Sequence, residues 1–515
     1  MENWCFSKWS HADGEEDDDR QCGGCLGSAM KRLLLLGLDG GDIDFIESRA
    51  PALPCMQEKL KSGKLFKLDT PKALSGSVWP TFYNGVNPGI HGIYQHLLWD
   101  PKRMGIRRIG PNWCYYKPFW QTIENQGHKA IVLDVPYSFP VSLKKGIEIT
   151  DWATHGQTLP FGCNQKDVKN IIRRIEKNPI GRETPIQKTT KQLEKIQKQL
   201  IKSADLKGQL IIELMKYEDW NLFVAIFAET HRGGHIFFNE DDESPLLTET
   251  PLLKIYQAID QTLAKILSHL DNETAVVIFS VHGMARDYAQ GHMVRPLMAR
   301  INETFLQKYC KIKKTKKRAR NSVVPYLRKA VPSKLQYAIG AASPDSVRQW
   351  VVEKEIIGGI DWSSTPGFAL RTDIRTEIRL NLRGRESQGI LEPNSEFHHE
   401  YVKFLEEVFL SLCIPNTNDH IVDELVHIHD LFPGPKCEAN PDLVITWHRR
   451  PTARSIYSPL LGTITAEPPN ARGGDHTDCG FAITPKGVSE ISKLEHITDL
   501  AVFCNQFFNT PTMHE

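Results

Sequence analysis

Leu33 to Leu38 form a nearly continuous apolar run, LLLLGL, that ends abruptly in Asp-Gly-Gly-Asp. Two later runs end the same way: NLFVAIFA runs straight into ETHRGGH, and TAVVIFS into VHGM. A short run with no polar alternation is the pattern of a strand buried on both faces, as in a parallel sheet covered by helices on either side. Ligands of open α/β sheets gather at the carboxyl ends of the strands. The three run ends therefore bring Asp39, Glu229, His231, His235 and His282 to one edge of one sheet.

The rest of the chain supports that architecture. FIESRAPALPCMQEKLKSG reads as an amphipathic helix broken by Pro51 and Pro54 and ended by Gly63, and LFKLDT returns as a strand. KPFWQTIENQGHKAIVLDVP repeats the order helix, Gly, strand, the alternation that a doubly wound sheet requires. Thr190 to Tyr217 carry apolar residues at helical spacing among many lysines, which predicts a long surface helix. The helix in LLKIYQAIDQTLAKILSHL leads into TAVVIFS.

Three stretches depart from the alternation. Residues 1–30, with GEEDDDR and no apolar period, read as a disordered acidic tail, and the CxxC of Cys22 and Cys25 there lacks a second pair at zinc-finger spacing. Residues 311–320 hold seven basic side chains in ten and read as a solvated linker rather than a nucleic-acid or lipid patch. The segment 301–423 contains that linker and helices such as EFHHEYVKFLEEVFLSL, and reads as a helical insertion. The core is then 31–300 and 424–515, with the chain re-entering the central sheet at NPDLVITW.

Composition narrows the partners. Lys+Arg 63 against Asp+Glu 62 leaves a net charge of +1, so no global field favours nucleic acid or a membrane surface. No apolar stretch reaches the roughly 18 residues of a membrane span. The 11 cysteines form no repeating framework and the N-terminus lacks a secretory pattern, which predicts a soluble, cytoplasmic protein.

About thirty-five residues after Asp39, Ser75 and Ser77 precede an apolar segment and the turn cluster NPGIHG. A hydroxyl at a helix start lies where backbone N–H groups face an anion. Pairing such a Ser with a strand-end Asp is how metal-dependent phosphoester and sulfoester hydrolases activate a nucleophile.

The segments GLDGGD, SGSVWPTFYNGVNPGIHGIY, VAIFAETHRGGHIFF, IFSVHGM and GGDHTDCGFAI, in this order, resemble the alkaline phosphatase superfamily. The resemblance is to its type I phosphodiesterase/nucleotide pyrophosphatase-like and phosphohydrolase/phosphomutase-like branch, and RLNLRGRESQGILEP resembles a further block of the latter. It implies a three-layer α/β/α fold with a mostly parallel central sheet, and two divalent metal ions, with Zn²⁺ expected and Mn²⁺ as the alternative. It places Asp39, Ser75 and His282 on one metal, and His235 and His476 on the other. The spacing from Ser75 to Gly85 matches the family's nucleophile and turn Gly, with Ser77 as the alternative. Where the family usually has an Asp four residues before His235 this chain has His231, and where it has an Asp before His-Gly it has Val281. His231 still suits Zn²⁺ through a three-histidine set with His235 and His476. Val281 offers no donor, so one tight and one weak metal site are expected, with Asp42, Asp287 or His292 as candidates to fill the gap.

Around these, His96 falls near the family's phosphate-oxygen contact. Arg383 and Arg385, close to Arg379, are candidate anion ligands, and Glu229 is a candidate carboxylate behind an imidazole. The implied activity is hydrolysis of small-molecule phosphate esters or anhydrides through a covalent Ser75 intermediate. Sulfate-ester hydrolysis, phosphotransfer and a catalytically weakened binder of a phosphorylated ligand are the alternatives.

Overall fold

The computed structural model describes residues 31–72, 74–109, 116–154, 162–175, 180, 188–243, 249–310, 343–372, 375–417, 419–468, 473–488 and 493–509. The acidic tail and the basic linker lie outside the described residues.

The central sheet has eight strands in the order Gly63–Asp69, Cys479–Pro485, Thr274–Ser280, Arg32–Leu38, Leu222–Phe227, Ala130–Leu133, Ile147–Thr150, Gly162–Cys163. Arg32–Leu38 runs parallel to both neighbours, with Leu38 level with Phe227 and Gly37 level with Phe279. Antiparallel pairing is confined to the two ends of the sheet. Period-two geometry explains the unbroken apolar run: Leu34, Leu36 and Leu38 face one core, and Leu33 and Leu35 the other. Helices Pro54–Ser62, Thr190–Tyr217 and Pro251–Leu267 cover the first face, and Val78–Asn84, Phe119–Asn125 and Asp499–Asn509 the second. This is the three-layer α/β/α arrangement expected from the sequence.

Thr190–Tyr217 begins at the expected place, with a capping box between Thr189 and Gln192. It is less of a surface helix than its lysines suggest. Lys207 is fully buried, 3.0 Å from the Asp134 carboxylate, and donates to the Ile226 carbonyl at 2.6 Å. Two buried groups of opposite charge satisfy each other beneath the sheet, the only condition under which such burial is tolerable.

The insertion differs from expectation. Gly367–Thr372, Arg375–Leu380, Leu443–Trp447 and Val422–His427 make an antiparallel four-stranded sheet. It packs on helices Gly291–Cys310 and Glu396–Leu410 around a separate apolar cluster running from Met293 to Ile464. The insertion is therefore α/β rather than helical, and wider at both ends than 301–423. NPDLVITW does not re-enter the central sheet; the chain returns there only at Cys479–Pro485. An apolar run states that a strand is buried, not which sheet it joins.

The turn after Ser75 is set by a buried histidine. His91 Nδ1 accepts from the Ile93 N–H at 3.0 Å, so Nε2 carries the proton and donates to Thr81 Oγ1 at 3.0 Å. A second proton would have to face an N–H, and burial pushes the His91 pKa down from 6.5 to about 3. The neutral form is the folded form, so this contribution is complete above the unfolded pKa and is lost as pH falls from about 6.5 towards 3. Each unit in that window costs about 1.4 kcal/mol. Urea unfolding midpoints taken between pH 7 and 4 should fall accordingly, and His91→Asn, though less stable at pH 7, should show a flatter slope.

Among the described residues, no helix is long and apolar enough to cross a membrane.

Candidate metal centre and nucleophile turn

Three adjacent parallel strands deliver the site. Asp39 follows Arg32–Leu38 directly, His282 lies two residues beyond Thr274–Ser280, and helix Glu229–Phe237 begins two residues past Leu222–Phe227. On that helix His231 and His235 are one turn apart and share a face. His476 comes from Gly474–Thr477, which pairs with Gly283–Arg286 and sets His476 opposite Met284. Asp39, His231, His235 and His282 are buried and His476 partly so.

The side chains form two donor sets. His231 Nε2 is 3.0 Å from His235 Nε2 and 3.4 Å from His476 Nε2, and the last two are 3.2 Å apart. Asp39 Oδ1 lies 3.2 Å from His231 Nδ1 and 3.2 Å from His282 Nε2. Both groups have the compactness needed to hold a metal ion. A tetrahedral ion with bonds of about 2.0–2.1 Å needs donors about 3.3 Å apart, so the residues present fit the metal ions implied by the resemblance.

Surrounding groups fix these donors. The Gly474 carbonyl is 2.8 Å from His235 Nδ1 and the Gly283 carbonyl 3.0 Å from His282 Nδ1. A carbonyl only accepts, so both Nδ1 atoms carry the proton and both Nε2 atoms present a lone pair. Asp39 Oδ1 also accepts from Trp79 Nε1 at 3.0 Å, and Thr230 Oγ1 donates to the Asp39 carbonyl at 2.6 Å. Gly40 has φ +69, and a Cβ there would lie 3.0 Å from the His231 backbone, so only Gly lets the strand end pass so close to the helix.

Ser75 opens a 3-10 turn, Ser75–Ser77, ahead of helix Val78–Asn84, rather than capping the helix itself. Trp79, four residues on, reaches Asp39, which ties this turn to the metal edge. Between the two serines, Gly76 packs against Gln95: a Cβ would sit 2.4 Å from the Gln95 side chain and 2.4 Å from the Tyr94 carbonyl. Ser77 is fully buried and its hydroxyl donates to the Leu74 carbonyl at 2.6 Å. That bond accounts for Ser77 as a structural hydroxyl and argues against it as the alternative nucleophile.

Other expected contributors sit elsewhere. Glu229 does not orient an imidazole; it is buried against Ser203, whose hydroxyl donates to Oε1 at 2.6 Å, and desolvation raises its pKa. His292 Nε2 contacts the Ala453 carbonyl at 2.8 Å, in the insertion's core region, and belongs to neither donor set. Asp42 caps helix Ile43–Ser48 by accepting from the Phe45 N–H at 2.8 Å, and Asp287 accepts from the Ala289 N–H at 2.8 Å. Neither carboxylate joins the donor sets.

The arginines are also committed. Arg385 donates to Asp442 at 2.7 Å and to Glu386 at 2.9 Å, and Arg379 donates to Glu386 at 2.8 Å. These buried pairs brace the antiparallel sheet, so Arg385 is a structural residue rather than an anion ligand. Exposed Arg383 pairs with Glu392 at 3.2 Å. His96 is half-buried on the turn before Leu97–Asp100, where its carbonyl accepts from the Ile109 N–H at 3.1 Å.

Trp79, Thr230 and Gln95 were missed by sequence reasoning. Only Trp79 left a signal, a large side chain one helical turn after Ser75.

A mostly parallel sheet with an aspartate and four histidines converging at its carboxyl edge defines an alkaline-phosphatase-like α/β protein. Residues 33–363 match the family model for type I phosphodiesterase / nucleotide pyrophosphatase, and the chain belongs to that family. Phosphonoacetate hydrolase from Sinorhizobium meliloti 1021, solved with phosphonoformate, is similar in fold. Its TM-score is 0.54 at 11% identity, over 93% of this chain and 95% of that one. The same enzyme with phosphonoacetate gives 0.50 at 11% identity, over 93% and 95%. Murine ectonucleotide pyrophosphatase / phosphodiesterase 5 with AMP gives 0.48 at 11% identity, over 94% and 97%. Among curated proteins, none matches the chain in sequence.

Proposed function

We propose that the protein is a metal-dependent hydrolase of small phosphate esters or anhydrides, with Ser75 as the nucleophile. One observation carries this reading beyond family membership: the three histidine Nε2 atoms converge at 3.0, 3.2 and 3.4 Å beside Asp39 and His282. Three buried imidazoles, the partly buried His476 and a buried carboxylate gathered without cations would leave several lone pairs facing one another, at a cost in desolvation and repulsion.

His231, His235 and His476 would hold one cation, and Asp39 and His282 the other, adjoining Ser75. Bound there, divalent ions supply Lewis-acid stabilisation of a phosphoryl oxygen and lower the pKa of a hydroxyl or water. In the reaction, Ser75 Oγ forms a bond to phosphorus as the ester oxygen leaves in line, and water then cleaves the Ser75–phosphoryl bond. Gly474 and Gly283 keep the ring protons of His235 and His282 on Nδ1, and Trp79 and Thr230 hold Asp39 in place. Burial of the donors excludes bulk water, which strengthens each electrostatic contact.

Metal analysis of the purified protein, with an assay panel of p-nitrophenyl phosphate, bis-p-nitrophenyl phosphate and p-nitrophenyl sulfate plus Zn²⁺ or Mn²⁺, tests the reading. Turnover of a phosphate ester that a chelator removes and Zn²⁺ or Mn²⁺ restores is expected. Turnover of the sulfate alone would reassign the chain as a sulfatase.

One observation favours a weakened binder as the second reading. Val281, where the resemblance places an Asp, is fully buried among apolar side chains that include Trp79, Phe82 and Phe279. Metal retention with no turnover across the panel would select that reading. A reducing, cytoplasmic setting, expected from the scattered cysteines of the sequence, is part of the proposal.

A further inference from the structure

We propose that His231 is a ligand shared by both cations. Its Nε2 closes the set with His235 and His476, and its Nδ1 closes the set with Asp39 and His282. The inference rests on the metal-centre reading above and concerns how the two sites are joined.

The two nitrogens of this ring face different donors. Nε2 lies 3.0 and 3.4 Å from the Nε2 atoms of His235 and His476, and Nδ1 lies 3.2 Å from Asp39 Oδ1. Asp39 Oδ1 is in turn 3.2 Å from His282 Nε2. All these separations approximate the edge of a tetrahedron built on bonds of about 2.0–2.1 Å. His231 is the member common to both candidate metal groups. His235 and His282 are built differently: each has Nδ1 against a backbone carbonyl, at 2.8 and 3.0 Å, which restricts it to a single cation through Nε2.

Charge gives the arrangement its purpose. Val281 and His231 stand where the resemblance places carboxylates, so the donor sets hold one carboxylate, Asp39, among four imidazoles. When cations occupy both nitrogens, the ring N–H proton leaves to solvent and the ring becomes an imidazolate. A neutral His231 that already holds one cation and a second divalent cation thus give the doubly ligated ring and one released proton. The resulting negative charge lies between the cations and replaces one of the missing carboxylate charges. Burial of Asp39, His231 and His282 makes that charge count for more than it would in water. Cations on opposite nitrogens of one ring lie about 6 Å apart, from bonds of about 2 Å on each side, wider than the roughly 3.5–4 Å of directly bridged two-metal sites.

The competing arrangement has His231 bind one cation through Nε2 while its Nδ1–H donates to Asp39, a carboxylate orienting a ligand. Cu²⁺ added to the metal-free protein separates the two, because paramagnetic resonance reads coupling between ions without any assay of turnover. Two Cu²⁺ per chain with a largely lost or exchange-split signal are expected, with one extra proton released at the second equivalent in weak buffer. His231→Asp should keep two ions but restore an uncoupled signal, which removes misfolding as the explanation. His235→Ala should weaken one site alone, and His231→Ala should weaken both by at least about 100-fold, beyond the effect of losing an outer partner. A single bound ion, or two ions with full uncoupled signal in the unaltered protein, would overturn the shared ligand and leave the metal centre standing. Failure to bind any ion would overturn the metal centre and the shared ligand together.

Discussion

Ser75→Ala is expected to lower turnover of the responsive phosphate ester by about 10⁴-fold or more, the scale on which loss of a covalent nucleophile is felt. The metal held by His231, His235 and His476 and the unfolding midpoint should stay near those of the unaltered protein, because the 3-10 turn is held by its backbone and by the packing of Gly76 on Gln95. Ser77→Ala should behave in the opposite way. It deprives the Leu74 carbonyl of a buried 2.6 Å hydrogen bond, costing about 1 kcal/mol, while most turnover survives. Steady-state kinetics and urea unfolding on the two variants give a double dissociation. Retained activity in Ser75→Ala with loss in Ser77→Ala would exchange the two assignments.

Val281→Asp is expected to produce the other large effect, on stability rather than rate. Val281 is fully buried in an apolar cluster, so a carboxylate there costs the metal-free protein about 2–4 kcal/mol. The neighbouring His282 belongs to the Asp39 donor set, and a carboxylate delivered beside it would meet a cation. Saturating Zn²⁺ or Mn²⁺ should therefore recover most of the loss in Val281→Asp, and should raise its retained metal above that of the unaltered chain. Equal destabilisation with and without metal would mean that position 281 is committed to packing and cannot reach the donor set.

Much of this molecule is legible in the order of its residues. The runs LLLLGL, NLFVAIFA and TAVVIFS point to buried strands, because each is short, apolar without polar alternation and closed by Gly or polar residues. Their abrupt ends in Asp39, His231 and His282 then place those side chains at one edge, since parallel neighbours share a direction. His235 belongs to the same run end as His231, and His476 is placed only by the resemblance of GGDHTDCGFAI to the family's block. Apart from His476 these are local properties of the chain, and local properties are what it carries along its length.

Only tertiary structure decided the rest. NPDLVITW joined the second sheet because its partner strands lie there, a choice made by contacts far apart in sequence. Arg385, Glu229 and Ser77 looked available for chemistry until Asp442, Ser203 and the Leu74 carbonyl took their polar atoms. Lys207 looked solvated until Asp134 met it beneath the sheet. Most consequential is His231, a residue type that the sequence supplies with two nitrogens and no instruction about either. Packing of its helix against the strand end at Gly40 turned one nitrogen to His235 and His476 and the other to Asp39. Residue types are set by the sequence, but what each polar atom faces is set by which surfaces meet, because a hydrogen bond or a metal bond depends on distances of a few ångströms that spacing along a chain does not encode.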